Sequence, residues 1–107
     1  MNMTGVWMIG CVVKCLPGSN WEHKDRAAAI FIECYVPVDD LHEALARTSE
    51  ALRQYAFEIV AFDRCMRYHE EHWSDLSEGH QKVRESVAQA REANEAVVGA
   101  IRWRTKK

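Results

Sequence analysis

The chain has 107 residues, 48% hydrophobic and 28% charged, with a formal net charge of −2 at pH 7. That length fits one domain, and the composition is globular rather than disordered. The weak acidic balance gives no reason to expect nucleic acid as the partner of the whole chain, and no run of about 18 apolar residues is present to suggest a membrane span.

The charge is uneven along the chain. From Ser77 onward seven Lys/Arg face four Glu, a balance of +3, which leaves −5 for the rest. Opposed patches of this kind favour head-to-tail or antiparallel pairing between copies as readily as an external partner. The apolar opening lacks a leading basic region, so no export signal is expected. Cys11, Cys15, Cys34 and Cys65 then read as reduced thiols of a cytoplasmic protein.

The first predicted element is a strand over 4–15, "TGVWMIGCVVKC". Val6, Met8 and Val12 point one way and Trp7, Ile9, Cys11 and Val13 the other. Both sides are apolar, which predicts a central strand covered on two faces. "LPGSN" stops it with turn chemistry, and a polar loop follows in which Trp21 and His23 stand out. An aromatic on a loop is either a partner anchor or a cap folded over the sheet edge.

A second strand is expected over 28–37, where Pro37 marks its end. Asp39 is the expected N-cap of a helix over 40–54, whose Leu41, Leu45, Thr48, Leu52 and Tyr55 make one apolar stripe. A third strand follows over 56–68. Strand, helix and strand form a βαβ crossover, with the first strand inserted between the other two. The expected sheet is three-stranded and mixed, of order 2-1-3. It resembles the split βαβ arrangement of ferredoxin-like folds, a likeness of architecture that implies no activity.

"YHEEHW", Tyr68 to Trp73, raises the question of a metal. The metalloprotease pattern needs histidines four apart, whereas His69 and His72 are three apart. Cys65 lies four residues before His69, and Cys11 four before Cys15. Cys11, Cys15, Cys65 and His69 have acceptable zinc-ligand types, with His72 nearby. The competing reading is strand-end and turn residues, with the cysteines as small buried apolar groups. No metal and no other cofactor is expected.

Ser74 or Asp75 is the expected cap of a long helix over 77–104, about 42 Å in length. Leu76, His80, Val83, Val87, Ala90, Asn94, Val97 and Ile101 step by fours and threes, as in a helix–helix seam where one Asn sets register. Two helices on one face of a three-stranded sheet leave the other face open. Covering about 600 Å² of it would contribute on the order of 15 kcal/mol before association costs.

These features point to a non-catalytic homodimeric interaction module, of adaptor or toxin-neutralising type, with Trp21, Val83, Val87, Ala90, Asn94, Val97 and Ile101 at the interface. A second protein is a further possible partner. The alternative is a small-molecule binder or small enzyme with a pocket between the sheet and the first helix, rimmed by Tyr35, Cys65 and His69. A metal-binding protein using Cys65, His69 and His72 is the third reading.

Overall fold

Side chains on alternate positions of the first strand settle the architecture, because each set is covered by a different helix. The computed structural model describes residues 5–106. Its elements are β1 (Trp7–Cys15), β2 (Ala27–Val36), α1 (Leu41–Gln54), β3 (Phe57–Arg67), α2 (Glu78–Ala93) and β4 (Val97–Thr105), with one turn of 3-10 helix at Glu70–Trp73. The strands form one antiparallel sheet in the order β3-β1-β2-β4.

The expected order 2-1-3 is retained within this sheet, since β1 lies between β2 and β3. A three-stranded mixed sheet is not what forms. β1 runs antiparallel to both neighbours, and a fourth strand pairs with β2. Residue 4 of the expected first strand lies outside the described residues.

The helix predicted over 77–104 ends at Ala93, and 97–105 is strand. Asn94 closes the helix in a left-handed conformation, φ 54° and ψ 39°, with its N–H donating to Ala90 O. Asparagine tolerates this conformation better than most side chains, which suits it to the position just past a helix. Beyond it, Val97, Val98, Ile101, Trp103 and Thr105 are the β-branched and aromatic types that suit a pleated surface. Spacings of four fit a strand face as well as a helix face, so Val97 and Ile101 satisfy both patterns. An irregularity in the β2–β4 ladder then puts them on opposite sides: Val97 pairs with Tyr35 and Ile101 with Ile32.

Ile9, Cys11 and Val13 of β1 cluster with Ile30, Ile32 and Cys34 of β2 under Ala44 and Leu52 of α1. Val6, Met8 and Tyr35, out of step by one residue, cluster with Val87 and Ala90 of α2. The two helices therefore cover opposite faces, not the single face expected. α1 lies chiefly over β3 and β1, and α2 chiefly over β4 and β2. Each face keeps an uncovered part.

The caps differ from expectation by one to three residues. Asp40, not Asp39, caps α1 by accepting the Glu43 N–H at 2.8 Å. Asp39 ties the strand ends together instead. Its carboxylate accepts from Gly5 N at 2.8 Å and Arg67 Nη2 at 3.2 Å, and its carbonyl accepts from Trp7 Nε1 at 3.0 Å. Ser77, not Ser74 or Asp75, caps α2 by accepting the His80 N–H at 3.3 Å. Asp75 accepts the Ser77 N–H at 2.9 Å, and hydrogen bonding from the Ser77 side chain first, then from this backbone N–H, holds its carboxyl below the usual carboxylate range.

Left-handed backbone at Asn94 makes a specific demand on sequence. Asn94→Gly should leave stability within about 0.5 kcal/mol, whereas Asn94→Val should lower it by about 1–2 kcal/mol. Urea unfolding of the two variants checks this. Equal stability of both would mean that residues 94–97 continue as helix.

Candidate functional site

"YHEEHW" is the corner at which the chain leaves β3 and crosses to the other face. Tyr68 N–H donates to Val6 O at 2.8 Å, which closes the end of the β1–β3 ladder. His69 flanks the 3-10 turn, and its carbonyl accepts the His72 N–H at 3.0 Å. The His69 and His72 rings meet edge-on at 5.5 Å, both exposed. Trp73 turns inward against His80, with ring centroids 4.9 Å apart, and joins Tyr68 beside the α2 cluster. Its indole N–H is buried without an acceptor among the described residues. Arg84 of α2 clamps the corner by donating to the carbonyls of Trp73 and Asp75. Each of these roles shapes the turn.

The cysteines take their places from the β1 ladder. Cys65 stands opposite Ile9 and Cys34 opposite the same residue on the other side, all facing α1 with Cys11 close by. Cys15 lies at the far end of β1, opposite Phe57. No group of three or more His, Cys, Asp or Glu among the described residues is placed to hold a metal ion. Burial pushes the Cys11 thiol up to about 12, aided by Cys65, and the Cys34 thiol up to about 12, aided by Cys11 and Glu33. Thiols so placed remain protonated and unreactive.

Tyr35, Cys65 and His69 do not line a common pocket. Tyr35 lies in the cluster under α2, Cys65 faces α1, and His69 is beyond β3. Strand parity separates the first two. Burial raises the Tyr35 hydroxyl to about 12, reinforced by Glu33 and opposed by Arg64 and Arg102.

A hollow between sheet and α1 does exist, at the other edge. α1 leans towards β3, so the α1 side of β4 stays open. The loop after β1 folds over its end: Trp21 packs edge-on against Phe57 and Trp103, each at 5.9 Å, and His23 stacks on Trp103 at 4.5 Å. Gly18 allows the turn with φ 89°, and Lys24 Nζ donates to Ser19 O at 2.8 Å. The resulting cleft is about 660 Å³, lined by Trp21, Leu52, Tyr55, Phe57, Val98 and Ile101. Gln54 links it to a shallower hollow that runs past Asn94 to the start of β4.

The residues expected at an interface divide between two surroundings. Val83, Val87, Ala90 and Val97 pack between α2 and the sheet of the same chain, so the predicted helix–helix seam is used internally. Trp21 and Ile101 come together in the cleft, and Asn94 borders its extension. Tyr55 and Ile101 remain 62% and 40% exposed there. Tyr55 was legible only as the last member of the α1 stripe. Its exposure follows from its place at the C-cap, where the helix stops before the ring can reach the sheet.

No family model, no curated protein and no solved structure matches this chain.

Cys65 is exposed, Cys15 half-buried, and Cys11 and Cys34 are buried. A thiol reagent should modify Cys65 first, Cys15 more slowly, and Cys11 and Cys34 only on unfolding. Cys11 and Cys34 hold their protons more tightly folded than unfolded. The stability this contributes is whole below their ordinary value of 9.0 and should fall as pH rises from there towards 12. Mass-resolved labelling and unfolding at stepped alkaline pH measure both. Equal labelling rates at all four thiols would contradict the packing.

Proposed function

We propose that this chain is a non-catalytic homodimeric interaction module, with the α1–β4 cleft as its pairing surface. One observation carries the reading: an apolar cleft on the face only part-covered by α1, with Tyr55 and Ile101 exposed at its lip. Aromatic and aliphatic groups around a concave surface are the usual anchors of a protein interface. A domain this small also gains from association, since it buries only about two thirds of its unfolded surface.

A second copy is the occupant that fits this surface best. Arg47, Glu50 and Glu95 border the cleft's extension, so carboxylates and a guanidinium stand together at its rim. A two-fold axis would set those groups against their opposites. The adaptor and toxin-neutralising roles are both ways in which such a dimer could act on a further protein.

Sedimentation equilibrium across micromolar concentrations tests this. The wild type should exceed the single-chain mass of 12.4 kDa, and Ile101→Asp should return it to that mass with its fold intact. Val60→Asp, on the exposed outer part of β3, should leave the dimer unchanged. A wild type that sediments at 12.4 kDa throughout overturns the proposal.

A further inference from the structure

On the opposite side of the sheet, on the part that α2 leaves uncovered, lies a trough of about 410 Å³ that spans all four strands. Its floor is Gly10 of β1, and Phe31, Glu33, Arg64, Arg102 and Arg104 stand around it. Phe31 and Glu33 share the parity of Tyr35, so they point to the α2 side, away from the cleft described above. Arg64 pairs with Gly10 in the ladder and Arg102 with Phe31.

Gly10 has a structural consequence here. With no side chain on β1, Arg64 of β3 reaches across to Glu33 of β2, Nη2 to Oε1 at 3.3 Å. A Cβ at Gly10 would meet Arg64 Cβ at 3.5 Å, which is ordinary contact, so the absence of a side chain is not forced by crowding. It leaves a hollow instead. Arg104 lies over the Phe31 ring, 5.8 Å from its centroid. The half-buried ring therefore has the Arg104 guanidinium over one face, Arg102 as its ladder partner and the hollow along its edge.

We propose that this trough binds a small aromatic monocarboxylate. The ring would pack edge-on against Phe31, one face of which Arg104 covers, and the carboxylate would take the guanidinium fork of Arg102. Charge selects the class. Three arginines against Glu33 and Asp63 leave one positive charge in surplus, which matches a monoanion. The two carboxylates disfavour a ligand of higher negative charge such as a nucleotide. The size is that of a small-molecule site. This surface is independent of pairing through the other face.

Titration of isotope-labelled protein with naphthoate, followed by amide shifts, tests it. Naphthoate should give saturable shifts at Gly10, Phe31, Glu33 and Arg102, and the neutral naphthamide should not. Arg102→Ala, an exposed substitution, should weaken binding by about tenfold or more, the value of a charge-assisted hydrogen bond. Arg102→Lys should recover part of it by keeping the charge without the fork. The proposal is overturned if naphthoate gives no saturable shift, if naphthamide binds as well, or if Arg102→Ala leaves affinity unchanged. It is equally overturned if AMP or inorganic phosphate binds more tightly at the same amides.

Discussion

A strand that is apolar on both sides must be covered on both sides, and most of this structure follows from that demand at β1. Ile9, Cys11 and Val13 need one cover, and Val6 and Met8 need another. The chain provides a single helix for each. α1 returns from β2 on one side, and the corner at Tyr68–Trp73 takes α2 to the other. A four-stranded sheet is about 19 Å wide at the usual strand spacing, roughly two helix diameters. One helix per face therefore leaves open ground on each, and the two hollows lie there.

The two open regions differ in character because the strands beneath them differ. On the α1 side the exposed surface belongs to the paired apolar residues of β4 and the aromatic loop, and it is oily. On the α2 side, where the helix leaves the sheet uncovered, the same strands present Glu33, Arg64, Arg102 and Arg104 around Phe31. Strand alternation produces both from one stretch: Trp103 faces the loop aromatics while Arg102 and Arg104, its neighbours, face the trough. The edge strands are less inviting for pairing. β3 and β4 both carry ladder irregularities, which twist an edge away from another chain.

Much of the fold was legible where local signals agreed. β1 declared itself by its two apolar faces, and α1 by an acidic cap followed by a stripe. The split crossover followed from the order of elements. The last third misled because two periods coincide. Val83, Val87 and Ala90 are a true helical stripe, and Val97 and Ile101 continue its arithmetic while belonging to a strand. Asn94 was visible in the sequence, but as a buried seam residue; its actual place is a left-handed cap. The β-branched pair Val97–Val98 and Gly99 were the available signals for a strand. Gly99 packs so tightly against Tyr35 that a Cβ there would lie 2.6 Å from the ring. For the sites, Trp21 and Ile101 were legible as apolar residues in need of a partner. The trough was not, since it depends on a register that brings Arg64, Gly10 and Glu33 into one row.

The division of β1 between two helices is the claim on which the hollows and the proposed roles rest. Methyl nuclear Overhauser contacts test it most directly, because Met8 and Ile9 are adjacent in sequence. Ile9 should contact α1 methyls, Leu52 or Ala44 among them, and Met8 should contact Val87 or Ala90 of α2. Contacts from both residues to one and the same helix would contradict the account.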